Sequence, residues 1–169
     1  MTRTILPFLI LIVVIGCTEK NTVIPFSPPD FSKRVVATIS MDSLELGTTY
    51  LSIYAQIYTL DQQSIRNLTA MTSLRNTSLK DTIYIKKADY YDTHGQLIRN
   101  YLKTPIYLAP LETIEIVIDE KDDEGGTGSN FIFEWQKPFG APEPLFEGVM
   151  TSTLGQQGLS FTTQGRRIE

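Results

Sequence analysis

Three places in the 169-residue chain carry side chains able to do chemistry. Cys17, the single cysteine, directly follows an apolar run from Ile5 to Ile15 and then Gly16. The run Asp119-Glu120-Lys121-Asp122-Asp123-Glu124 is the densest charge feature, and Gly125-Gly126-Thr127-Gly128 follows it. His94, the single histidine, lies inside Asp92-Thr93-His94-Gly95.

The chemistry expected at Cys17 is lipidation. A basic start, a short apolar stretch and a small residue before the cut make a secretory leader. Arg3, the run to Ile15 and Gly16 supply them. A spanning helix needs about 20 apolar residues, and this run is shorter and interrupted by Pro7. The pattern reads as a bacterial lipoprotein signal over residues 1–16, although Ile15 is bulkier than the small residue usual at that place. Cys17 then becomes the mature N-terminus and carries acyl chains. Two or more chains anchor a protein stably where one does so only marginally. The alternative is an uncleaved N-terminal anchor with an incidental cysteine. Thr18, rather than Asp, follows the cysteine. By the sorting rule of enteric-type lipoproteins this resembles an outer-membrane address, on the periplasmic face, in a Gram-negative envelope.

Clustered carboxylates on a loop suit a hard cation such as calcium. Asp119, Asp122, Asp123 and Glu124 are therefore the candidate cation ligands. Their spacing does not match an EF-hand loop, and the plainer reading is a solvated connection whose charges discourage edge pairing. The glycines suit a backbone anion nest, but no strand-to-helix phosphate motif precedes them. Imidazole titrates near neutral pH and serves as base or metal ligand. His94 nevertheless sits in a turn sequence, where any polar residue is at home. No Gly-x-Ser-x-Gly elbow is present, and one His without a free Cys fits zinc poorly. No catalytic residue and no cofactor is expected.

Composition narrows the partners. The formal net charge is -4, and loss of Arg3 with residues 1–16 makes it -5. Nucleic acid needs a basic footprint, so it is excluded as a partner. Anionic lipid head groups are equally ill suited to capture by charge. Without a second cysteine no disulfide within the chain forms, so the fold rests on its core. Roughly 120 residues suffice for one such domain.

Those residues must be positioned by strands. Residues 17–40 read as the lipidated cysteine and a flexible tether, with Pro25, Pro28 and Pro29, reaching a few tens of Å as coil. Val35–Ile39 is either its end or a first edge strand. Residues 41–169 form the domain. Leu51, Ile53, Ala55 and Ile57 alternate with polar or aromatic neighbours, as do Leu68, Ala70, Thr72 and Leu74. Ile114, Ile116 and Ile118, and then Phe131, Phe133 and Trp135, repeat the pattern. A period of two buries one set and exposes the other. Further strands are expected at Thr82–Tyr91, Gln96–Tyr101, Phe146–Thr153 and Leu159–Thr163. Asp92–Gly95, Asn76–Ser78 and Gly155–Gly158 carry turn chemistry, and Leu60–Leu68 has room for one helical turn. Seven to nine short strands predict an antiparallel β-sandwich, immunoglobulin-like, with a small barrel as the alternative.

Tyr50, Tyr54 and Tyr58 would line one strand face, with Tyr90, Tyr91 and Tyr101 elsewhere. Exposed, such a stripe binds glycan or protein; buried, it is a core layer, the reading preferred here.

Four stretches resemble the DUF3124 family of uncharacterised bacterial lipoproteins. They are Gly47–Tyr54 with Ile57-Tyr58, Leu68–Thr77, and Asp89–Gly95 running on to Tyr101-Leu102 and Leu108–Pro110. The fourth is Gly125–Phe131 with Trp135 and Gln157–Phe161. They run in order over about 115 residues. A Pro expected near Ser52 is missing. The resemblance implies the lipid anchor and the domain limits and transfers no catalytic residue.

The function expected is a lipid-anchored interaction or accessory module of the cell envelope, not an enzyme, with an envelope protein as partner and the membrane held through Cys17. The alternative is a small-ligand or calcium-binding module using the acidic loop. A wall or lipid hydrolase would need His94 and carboxylates to converge in one cleft.

Overall fold

Alternation of the kind seen around Phe131–Trp135 commits a chain to two-faced strands, and the computed structural model shows such strands throughout. It describes residues 29–37, 44–153 and 158–169. Cys17, the leader, most of the tether and the Gly155–Gln157 part of the last turn lie outside the described residues.

Among the described residues twelve strand segments follow one another, more than the seven to nine expected because several are very short. They are β1 (Leu44–Ser52), β2 (Gln56–Tyr58), β3 (Ile65–Asn67), β4 (Thr69–Arg75), β5 (Ile83–Tyr91) and β6 (Leu97–Asn100). Then come β7 (Ile106–Leu108), β8 (Thr113–Ile118), β9 (Asn130–Pro138), β10 (Leu145–Ser152), β11 (Leu159–Gln164) and β12 (Arg166–Arg167). All named pairings are antiparallel. The larger sheet runs β12-β1-β9-β5, with β6 and β7 in turn along the far edge of β5. The smaller sheet runs β11-β10-β4-β8, and β2 pairs with β3 as a separate hairpin. The fold is an all-β sandwich, as the alternation predicts.

Packing follows the period. Leu51, Ile53, Ala55, Leu68, Ala70, Thr72 and Leu74 are fully buried, as are Ile116, Ile118, Phe131 and Phe133. The inner faces meet through a stack of rings. Tyr90 lies 5.0 Å from Phe131, Phe131 lies 5.2 Å from Phe133, and Phe133 lies 4.4 Å from Phe146 of the smaller sheet. Trp135 lies across Gly47, where any Cβ would run into its ring, and its indole N–H donates to Thr49 Oγ1 at 2.9 Å.

Three local expectations change. Leu60–Leu68 holds no helical turn; Gln63 N–H binds the Asp61 carboxylate, and the chain returns as β3. Of Val35–Ile39, the described part is Val35–Ala37, in which Val35 bridges to Ile106 and Val36 N–H binds the Pro105 carbonyl; Thr38 and Ile39 lie outside the described residues. The tyrosine stripe does not form, because β1 ends at Ser52 and the chain bends before β2. Tyr58 is exposed, while Tyr54 packs on Phe161.

One irregularity has consequences. The register between β5 and β9 slips between Ile85 and Lys87, leaving Lys86 as an extra residue. A bulge of this kind reverses the alternation beyond it. Ile83 and Ile85 point inward before it, and Ala88 and Tyr90 point inward after it. Among the described residues no helix is long and apolar enough to cross a membrane.

Candidate functional site

The acidic connection between β8 and β9 is held by an arginine. Arg99 on β6 donates to both Asp122 oxygens, at 2.5 and 2.9 Å, and to Glu124 Oε2 at 2.7 Å. Its guanidinium lies 5.8 Å from the Tyr90 ring centre and contacts the Tyr101 hydroxyl at 3.2 Å. Hydrogen bonding to Asp122 raises the Arg99 pKa further, against the cost of burial. Asp119 accepts from Lys121 N–H within the loop. Of the four candidate cation ligands, Asp122 and Glu124 thus converge on a fixed positive charge. Among the described residues no group of three or more His, Cys, Asp and Glu is gathered to hold a metal ion.

The glycines that follow are packed rather than open. Thr93 donates to the Gly125 carbonyl and accepts from Gly128 N–H. Burial pushes the Tyr90 phenol up to about 12. Its hydroxyl donates to Ser129 Oγ at 3.2 Å, and Ser129 donates to the Ile53 carbonyl. His94 is exposed in its turn, where Asp92 accepts from His94 N–H and Gln96 N–H and Gly95 takes φ +76°. It has no part in the hydrogen bonds that gather Asp122 and Glu124 on Arg99. A groove of about 400 Å³ lies beside β6 and β7, lined by Phe31, Val35, Tyr101 and Leu102 among others.

The side chains that do converge lie on the solvent face of the larger sheet, because residues directly opposite on antiparallel strands share a face. One row is Arg166, Tyr50, Ile132, Asp89 and Asn100. The next is Thr48, Glu134 and Lys87, and the third is Leu46, Gln136, Tyr84 and Tyr107. Tyr91 stands beyond Asp89, opposite Asn130. Asp89 is only 3% exposed and Gln136 only 1%, although both belong to the outer face. They form a floor, while Tyr50, Tyr84, Tyr91 and Tyr107 are exposed or half-buried around it.

The floor is organised by charge. Asp89 accepts from Asn100 at 2.8 Å and from the Tyr91 hydroxyl at 3.3 Å, and pairs with Lys87 at 3.2 Å. Lys87 also reaches Glu134 at 3.3 Å. The Asp89 hydrogen bond, more than Glu134, raises the Lys87 pKa against desolvation. Burial raises the Tyr91 phenol, with the Asp89 charge adding to it. Pairing between aromatic, acidic, basic and amide groups on one open face gives a surface able to stack on, donate to and accept from a ligand.

Sequence reasoning misses this cluster. Its floor and tyrosines come from five strands, and the bulge at Lys86 turns Asp89 and Tyr91 outward. The available signal is the change of parity inside β5, from Ile83 and Ile85 to Ala88 and Tyr90, around the paired lysines.

Comparison with known proteins adds a family. Residues 46–168 match the family model described as "Protein of unknown function (DUF3124)". No curated protein matches the chain. Among solved structures, the crystal structure of Thermotoga maritima 1070 aligns with a TM-score of 0.45 at 8% identity, covering 71% of this chain and 92% of that one.

Proposed function

The chain belongs to the DUF3124 family, and from that premise we propose that it is a lipid-anchored protein of the cell envelope whose sandwich works by binding. The observation that carries binding is the outer face of the larger sheet, where four tyrosines surround the Asp89–Lys87–Glu134–Asn100 network. Anchoring is supported by Cys17, placed directly after an apolar run and Gly16. Acyl chains there hold the domain at a bilayer and leave its sheet face free for a partner in the envelope. The acidic connection has a structural role in this account: Asp122 and Glu124 tie it to Arg99 on β6.

Expression in a bacterial host followed by intact-mass analysis tests the anchor. The expected product lacks residues 1–16, carries acyl chains on Cys17 and partitions with membranes, and Cys17→Ser releases it. An unmodified full-length chain in the cytosol overturns the anchor. Cross-linking from the outer face in cells tests binding; absence of any reproducible envelope component, protein or polysaccharide, counts against it.

A further inference from the structure

We propose that the outer face of the larger sheet binds an uncharged glycan, with the tyrosine rings stacking on sugar faces and the floor residues engaging hydroxyls. This rests on the reading of the chain as an envelope binding module and names its ligand class.

Along β5, Tyr84 and Tyr91 stand at the two ends of a strip roughly 20 Å long, with Lys87 and Asp89 between them. Across the strands the strip extends from Tyr50 on β1 to Asn100 on β6 and Tyr107 on β7. Charged groups therefore occupy the centre and aromatic groups the ends. Protein-docking patches have the opposite anatomy, with a core depleted of charge and a polar rim. A sugar hydroxyl is both donor and acceptor. The centre offers an acceptor-only carboxylate at Glu134, a donor-only ammonium at Lys87 and a mixed amide at Asn100, set in place by the buried Asp89. These groups already hold one another in place, with Asn100 on Asp89 at 2.8 Å and Lys87 at 3.2 and 3.3 Å from Asp89 and Glu134. Binding then costs little reorganisation.

The ends suit the same ligand. An aromatic ring presents a negative face, which meets the weakly positive C–H groups of a pyranose. Tyrosine gives large contact area at low conformational cost. Charge disfavours acidic polysaccharides: Lys87 and, at the β12 end, Arg166 do no more than balance Asp89 and Glu134 on the face, and the chain as a whole carries a formal charge of -4. An open strip, rather than an enclosed pocket, suits internal stretches of a polymer.

The experiment uses the lipidated full chain in detergent micelles. An N-acetylglucosamine tetramer and cellotetraose are titrated, with a galacturonate tetramer as the acidic comparison. Binding is read by calorimetry and by amide NMR shifts. A neutral tetramer is expected to shift amides of Lys87, Asp89, Glu134 and Asn100. Tyr84→Ala or Tyr91→Ala should weaken it about threefold to tenfold, the size of one aromatic stack, with the fold checked by thermal melting. The shifts on the unaltered protein keep the test decisive if a variant fails to fold. No shift on this face with either neutral tetramer, or equal binding of the acidic one, overturns the proposal. A chain that is lipidated and cross-links through this face to a protein, with no glycan bound, keeps the binding-module reading and removes this one.

Discussion

Replacing Arg99 by Met keeps most of the side-chain volume and removes the charge that holds the acidic connection. The structure sets the cost. Glu124 is 64% exposed, so its arm is a surface pair, worth about 0.2–1 kcal/mol. Asp122 is 13% exposed and accepts two hydrogen bonds from the guanidinium. Breaking a fully buried pair costs about 3–5 kcal/mol, and partial exposure of both partners lowers this to about 2 kcal/mol. The whole substitution should therefore cost about 2–3 kcal/mol. At about 2–4 °C per kcal/mol for a domain of this size, Arg99→Met should melt roughly 4–12 °C lower. Asp122→Asn alone should cost less, since Arg99 keeps Glu124. The double variant should fall short of the sum by about 1–2 kcal/mol, the coupling expected of direct partners. Circular-dichroism melts and urea titrations of the four proteins measure this. The same proteins test the cation alternative: roughly millimolar calcium, the range of weak extracellular sites, should leave the unaltered protein's melt in place. It should raise that of Arg99→Met, whose carboxylates have lost their cation. Additive variants, or an Arg99→Met melt matching the unaltered protein, would refute the arginine's role. A calcium-dependent rise in the unaltered protein would return the loop to cation binding.

Three further outcomes are expected. Tyr90 titrates at 10.0 when free and at about 12 in the fold, so its stabilisation is complete below pH 10 and is lost as pH rises toward 12. At 1.36 kcal/mol per unit this amounts to about 3 kcal/mol, and Tyr90→Phe should flatten the alkaline limb of a stability-against-pH curve, with the Tyr101 phenol, also raised by burial, leaving a remainder. Gly47→Ala should cost about 1–3 kcal/mol by overpacking and red-shift the fluorescence of Trp135, the single tryptophan; an unchanged spectrum and midpoint would contradict the close approach. Asn76 shares its amide hydrogens among the carbonyls of Asp81, Leu108 and Ala109 at 2.8, 3.0 and 3.0 Å and accepts from Ser78 N–H at 2.9 Å. Asn76→Ala should cost about 3 kcal/mol in urea titrations, and Asn76→Asp at least as much, because a carboxylate has nothing to donate to three carbonyls.

The core was the legible part. Ile114, Ile116 and Ile118, or Phe131, Phe133 and Trp135, alternate strictly because each strand packs one face on the opposite sheet, and that periodicity survives without tertiary knowledge. Short strands such as β7 and β12 lack enough residues to show a period; β12 exists because its backbone pairs with Thr49 and Tyr50, far away in sequence. The tyrosine stripe failed for a related reason: Tyr50, Tyr54 and Tyr58 keep their spacing across a bend where β1 stops. Arg99 carried no signal for its role, since its partners stand 23 and 25 residues away and only the strand register brings them together.

The bulge at Lys86 joins the core to the candidate site. In a regular strand that kept Lys86 in the ladder, Lys87, Asp89 and Tyr91 would keep the parity of Ile83 and Ile85 and point between the sheets. Two charges would then replace Ala88 and Tyr90 against Phe131 and Phe133, where burial without partners is prohibitive. With the bulge, Ala88 and Tyr90 take the inner positions, and Tyr90 stacks 5.0 Å from Phe131. The same step turns Asp89 toward Asn100, and Lys87 toward Glu134. The bulge thus satisfies the core and assembles the polar floor, so a strand half written for the interior carries the side chains proposed to face a ligand. Bulges beside binding sites commonly re-aim side chains in this way. Here the re-aimed groups lie between two tyrosines of the same strand, so stacking surface and hydrogen-bonding groups are fixed relative to each other by the backbone of β5 alone.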